Sequence, residues 1–169
     1  MSHPAALDAL RLLLDRATQE RDRLAGELRR GEEVLQRARQ QGEQLAAYRG
    51  EYMQRWSRQF GRGGAIEIVH CYQSFMQRLE EAMGQQQRQV DAAERGVAAV
   101  RQALLQAELR VASVKKLIER RMAEMARVQE RRDQRQTDET AQHLALRRAR
   151  LVRPVALELE QAGAQHLHG

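Results

Sequence analysis

The chain has 169 residues, of which 31% are charged and only 4% aromatic, and its formal net charge is +6. So few large rings exclude an ordinary layered globular core. Abundant Arg, Glu, Gln, Ala and Leu instead match long helices and coiled coils, whose burial is confined to a narrow seam.

All but two of the 29 basic residues are arginine, the exceptions being Lys115 and Lys116. Acidic residues alternate with the arginines over most of the length, which reads as a solvated, salt-bridged face rather than a nucleic-acid surface. A single cysteine, Cys71, excludes an intramolecular disulfide and fits a reducing compartment. No run approaches the ~20 apolar residues of a membrane span. Leu12-Leu13-Leu14, flanked by Arg11, Asp15 and Arg16, is too short for a secretory leader. These features predict a soluble, intracellular protein.

In chain order, the first element is a helix over about 5–60. Alternating steps of three and four residues from Leu7 reach Leu10, Leu14, Ala17, Arg21, Leu24, Leu28, Gly31, Leu35, Ala38, Gly42 and Leu45. That stripe is apolar except at Arg21 and the two glycines. Gly61-Arg62-Gly63-Gly64 then predicts a tight turn over 61–64. A second, longer helix is expected over about 65–153. From Val69 the same rule visits Tyr72, Met76, Leu79, Met83, Gln86, Val90, Ala93, Val97, Val100, Leu104, Ala107, Val111, Val114, Ile118, Arg121, Met125 and Val128.

A repeat of 3.5 sustained this long specifies a left-handed supercoil. Joined by a short turn, the helices are antiparallel neighbours. The fold class is therefore all-α, a long antiparallel two-helix coiled-coil hairpin in which the second helix is the longer. With the turn centred near Gly63, Gly42 faces Met83 and Leu7 faces Ile118. The segment 121–153 lacks an intramolecular partner. Pro154 is expected to end the helical region and to leave 154–169 as a flexible tail.

The chain carries little recognisable chemistry. The glycine turn has no Gly-Lys-Ser/Thr ending and no preceding strand, so it is not a phosphate loop. His70-Cys71 lacks a second ligand pair, and His166 and His168 sit in the polar tail; neither reads as a metal site. A rod offers no water-excluded pocket in which carboxylates could converge. No catalytic residues, no cofactor and no small-molecule ligand are expected.

The most distinctive words flank the turn. Before it stands Leu45-Ala46-Ala47-Tyr48-Arg49-Gly50-Glu51-Tyr52, and after it Tyr72-Gln73-Ser74-Phe75-Met76-Gln77-Arg78-Leu79-Glu80-Glu81-Ala82-Met83. A late Asp138-Glu139 pair follows. In order and spacing these elements resemble the FliJ family of flagellar export proteins and its YscO-type injectisome relatives, over roughly residues 5–145. The glycine-rich turn and the chain running on past Asp138-Glu139 depart from the flagellar pattern and leave the two systems unseparated.

The resemblance implies a non-catalytic stalk that binds and stimulates a hexameric export ATPase, contacts the cytoplasmic domain of an export-gate membrane protein and escorts export chaperones. It also implies a cytoplasmic protein held peripherally at the inner membrane by the export apparatus. Carried over residue by residue, the gate contact comprises Gln41, Leu45, Tyr48 and Tyr52 on helix one and Phe75, Leu79, Ala82 and Gln86 on helix two. Arg11, Arg16, Arg147, Arg148 and Arg150 become the ATPase-facing charges. Leu45 and Leu79 fall on the heptad path and read as core. Tyr48, Tyr52 and Phe75 are read as straying from it and as partner surface, while Trp56 and Phe60 cap the seam. The competing readings are a generic scaffold that self-associates through 121–153, and a basic nucleic-acid binder.

Overall fold

The computed structural model describes residues 3–165, with side-chain surroundings described for 4–152. Helix α1 spans His3–Phe60 and helix α2 spans Ile66–Gln165. They form a helical hairpin whose second helix is the longer, with no strand among the described residues. By their packing the residues divide into two units. One is Asp8–Lys115; the other joins the chain up to Leu7 with the part from Lys116 onward.

Within Asp8–Lys115 the seam follows the heptads. Ala17, Leu24, Leu35 and Ala38 on α1, and Leu79, Val90, Val97, Ala107, Val111 and Val114 on α2, are the buried hydrophobic residues of this unit. Each lies on one of the two sequence stripes. Leu35, Ala38, Val90 and Val97 form its central cluster, with Leu28 and Ala93 packed against them. Two glycines let the helices approach closely. A side chain at Gly31 would meet Val97 Cγ2 at 3.3 Å, and one at Gly42 would meet Gln86 Cγ at 3.7 Å.

Gly42 therefore has Gln86 as its nearest neighbour, where the turn-centred register predicts Met83. Met83 lines the same groove one turn away. The offset is about three residues along α2, because the loop takes in Ala65 and side chains seat between facing residues rather than opposite them.

Gln86, the polar break in the α2 stripe, is satisfied inside the seam. Its Nε2 donates to the Ala38 carbonyl at 2.7 Å and to Gln41 Oε1 at 3.3 Å. Ion pairs flank the seam across the two helices: Arg39 with Glu94 at 2.8 Å, Arg101 with Glu32 at 3.0 Å and Arg49 with Glu80 at 3.2 Å. Exposed pairs of this kind contribute about 0–1 kcal/mol each, so they favour this pairing of helices more than they stabilise it. On α1, the hydrogen bond from Arg23 holds the exposed Glu20 carboxyl below its ordinary range.

The reversal is built from short-range bonds. Gly61 N–H donates to the Ser57 carbonyl at 3.2 Å, and Gly63 N–H to the Phe60 carbonyl at 3.2 Å. Gly63 has φ of +82°, the left-handed conformation that a Cβ disfavours. Helix α2 then starts behind Ala65, whose carbonyl accepts from Ile68 and Val69. Alanine offers no side-chain acceptor to the free N–H groups of that first turn. Replacing it with a capping residue, Ala65→Asp, is expected to stabilise the protein by about 0.5–2 kcal/mol in thermal melts.

In the other unit α2 changes character. Leu7 is buried, whereas every residue over 126–152 is exposed. The bonds here are local ones, such as Gln129 to Asp133 and the Thr137 hydroxyl donating to the Asp133 carbonyl.

Pro154 does not stop the helix, contrary to the sequence expectation, and α2 runs on to Gln165. Proline forfeits one backbone hydrogen bond and crowds the carbonyl one turn before it, at about 3 kcal/mol. The following Ala156-Leu157-Glu158-Leu159-Glu160-Gln161-Ala162 consists of strong helix formers that carry the conformation beyond it. The stretch expected as a tail is thus helical as far as Gln165; residues 166–169 lie outside the described residues.

Candidate partner surfaces

The chain has three tyrosines, two phenylalanines and one tryptophan, and all of them meet in one cluster beside the turn. On α1, Tyr48, Tyr52, Trp56 and Phe60 recur every four residues, which places them on one side of the helix. Tyr72 and Phe75 on α2 face them. Tyr52 sits at the centre, its ring 4.2 Å from Phe75 and 5.9 Å from Tyr72 between centroids. Trp56 lies 5.2 Å and Phe60 5.5 Å from Tyr72. Tyr48 forms the outer edge, 6.2 Å from Phe75 and 48% exposed.

Rings in offset or edge-on contact add about 0.5–1.5 kcal/mol per pair beyond their burial. The cluster therefore ties the two helices together beside the turn, with Tyr48 exposed at its edge.

The residues carried over as a gate contact fall into three environments. Gln41 and Tyr48 are exposed; Leu45, Tyr52, Phe75, Ala82 and Gln86 are half-buried; Leu79 is buried. Tyr48, Tyr52 and Phe75 touch through their rings, and Gln41 meets Gln86 through a hydrogen bond. Tyr52 does not stray from the heptad path. Continuing the alternating steps beyond Leu45 lands on Arg49, Tyr52 and Trp56, and all three are half-buried. Phe75 is an extra seam residue beside that path, drawn in by Tyr52.

Arg49 lies one step beyond Leu45, where the α1 stripe read from the sequence ends. Exposed Met53 and Ile66, on either side of the turn, lie off the stripes. An isolated apolar residue off the stripe gives no signal of its own.

The arginines assigned to an ATPase are all exposed. Arg11 and Arg16 belong to the unit of Asp8–Lys115, where Arg11 approaches Asp8 at 3.6 Å. Arg147, Arg148 and Arg150 belong to the other unit. No acidic residue occurs from Thr140 to Leu157, so these three lie in the longest acid-free stretch of the chain. Leu144, Leu146, Leu151 and Val152 are exposed among them.

Around the helix, at 100° per residue, Arg127, Arg131, Arg132 and Arg135 span about 140° of one side, and Arg147, Arg148 and Arg150, about 18 Å further along the axis, span about 160° of the other, so that projected together they leave no gap wider than about 100°. Among the described residues, no three His, Cys, Asp or Glu side chains gather as metal ligands, and no helix is long and apolar enough to cross a membrane.

The family model described as Flagellar FliJ protein matches residues 7–150. A Flagellar FliJ protein of Salmonella typhi is 30% identical over 148 residues, covering 88% of this chain and 99% of the relative. The Flagellar FliJ protein of Escherichia coli (strain K12) is 29% identical over the same length and with the same coverage. No solved structure matches the chain. A two-helix hairpin with an aromatic turn end, matched by the family model along most of its length, belongs to the FliJ family.

Proposed function

We propose that the protein is a non-catalytic component of the flagellar export apparatus. In this reading the hexameric export ATPase encloses the Arg-rich part of α2, and the turn end meets the cytoplasmic domain of the export gate. The observation that carries it is the distribution of exposed arginines around the entire circumference of α2 over 127–150. A flat or one-sided partner, such as a bilayer or a duplex groove, engages only one side of a helix. A ring engages all of them.

A second physical argument points the same way. A long helix that is exposed all round draws little stability from its own packing, so it gains most from a partner that surrounds it. Binding would favour assembly of the ring and so raise its turnover, while the arginines contribute orientation and association rate more than affinity. The test is to add the purified protein to the export ATPase at micromolar concentration and follow phosphate release. Faster turnover with a co-migrating complex supports the reading; an unchanged rate with no complex defeats it. Gel retardation of DNA falling steeply with salt would favour the nucleic-acid alternative instead.

For the turn end, exposed Tyr48 backed by Tyr52 and Phe75 has the make-up of an interaction hot spot. Tyr48→Ala combined with Phe75→Ala is expected to weaken binding to the gate domain at least tenfold, or about 1.4 kcal/mol. Helicity at 222 nm should be retained. Loss of the folded hairpin in the same variant would make these rings structural rather than recognitional. Escort of export chaperones and peripheral attachment at the inner membrane belong to the same proposal and rest on family membership alone.

A further inference from the structure

We propose that Arg49 is the polar anchor of the aromatic surface beside the turn, and that the partner meeting this surface brings a carboxylate to it. This rests on the gate-contact reading and names the chemistry of the partner's matching group.

Arg49 occupies a seam position on α1, between Leu45 and Tyr52 on the heptad path, where an apolar residue would pack best. Its side chain is 39% exposed, yet its Nε is fully shielded and has no hydrogen-bond acceptor. The single bond that the guanidinium donates, from Nη2 to Glu80 Oε1, is 3.2 Å long. Good charge-assisted bonds of this kind measure ~2.7–2.9 Å, and arginine binds carboxylates best through two parallel bonds.

The guanidinium is thus desolvated at one end and poorly paired at the other. A shielded donor without an acceptor is a cost that the hairpin by itself does not recover. Turning the fork outward onto a partner carboxylate supplies the missing acceptor. That carboxylate would arrive directly beside the exposed Tyr48 ring, and Tyr and Arg together are the residue types enriched at the centres of interfaces. Glu80, itself 58% exposed, acts as a placeholder that positions the fork until the partner arrives. Such an arrangement gives specificity for an acidic surface carrying an apolar pocket, and disfavours a basic one.

The test uses the full chain and the purified cytoplasmic domain of the export gate, with affinity measured calorimetrically at low and at raised salt. Arg49→Gln is expected to weaken binding about tenfold or more, and to flatten its salt dependence. Arg49→Lys should fall between, because it keeps the charge and loses the fork. Glu80→Gln should bind as tightly as the parent or more tightly, since it removes the competing carboxylate. Melting curves of all three should overlay the parent.

Arg49→Gln binding as the parent does would overturn the inference. So would an equal loss in Glu80→Gln, which would show that the pair merely ties the helices together. Sedimentation of a dimer that Tyr48→Ala dissolves would assign the surface to a second copy and overturn it too. Absence of binding by the unsubstituted chain would instead remove the gate-contact reading on which the inference stands.

Discussion

Val97→Asp is expected to lower the stability of the hairpin by about 3–5 kcal/mol. Val97 is 5% exposed and belongs to the central cluster with Leu35, Ala38 and Val90. The substitution forfeits the burial of a valine side chain, about 1.5–3 kcal/mol, and places a carboxylate against Leu35, Ala38 and Val90. Close approach at Gly31, where an added Cβ would stand 3.3 Å from Val97 Cγ2, leaves little room for water to follow the charge. Arg101, one turn further on, is already engaged by Glu32.

At 2–4 °C per kcal/mol for a chain of this size, the melting midpoint should drop by roughly 10 °C in circular dichroism. Ala98→Asp, one position along and exposed, is the matched control and should shift stability by no more than about 0.5 kcal/mol. Equal effects at the two positions would mean that the seam does not pass through Val97.

The second large effect concerns the partner rather than the fold. Reversing three charges together, in Arg147→Glu, Arg148→Glu and Arg150→Glu, is expected to abolish stimulation of the export ATPase. All three side chains are exposed and none touches the buried seam, so the melting midpoint should stay near that of the parent. Arginine and glutamate also have similar helix propensities. Against an acidic lining, three lost attractions replaced by three repulsions amount to about 3 kcal/mol or more, a hundredfold or more in affinity. The triple lysine variant keeps the charge and should retain most of the stimulation. Full stimulation by the triple glutamate variant would show that this part of α2 is not what the ring grips.

The residues of the candidate surface were legible through the resemblance to the FliJ family, and their spacing then set them in one stripe on each helix. An antiparallel register brings Tyr48, Tyr52, Phe75 and Leu79 near one another, and the rings of the first three are in contact. What spacing could not rank was exposure. Tyr52 and Tyr48 stand one helical turn apart on α1, yet Tyr48 is exposed and Tyr52 half-buried, because Phe75 and Tyr72 close over Tyr52 from the other helix. Gln86 likewise resembled a surface residue interrupting a stripe. It is instead a seam residue whose amide finds acceptors across the interface, in the space that Gly42 leaves open.

Residue identities alone determined that this chain is all-helical, that it doubles back at the glycines after Phe60 and that Ala17, Leu24, Val97 and Val111 line one seam. A sustained 3.5-residue repeat has only one way to bury its apolar stripe, and Gly63 accepts a backbone conformation that other residues resist. Packing of one helix on the other decided which neighbour Gly42 meets, which ring of the aromatic group faces outward and how Arg49 comes to have a shielded nitrogen without an acceptor. Those outcomes depend on offsets of a few ångströms between helices, and a pattern of residue types carries no such distances. The continuation of α2 past Pro154 was settled by structure as well, since a single lost hydrogen bond is outweighed by the helix formers that follow it.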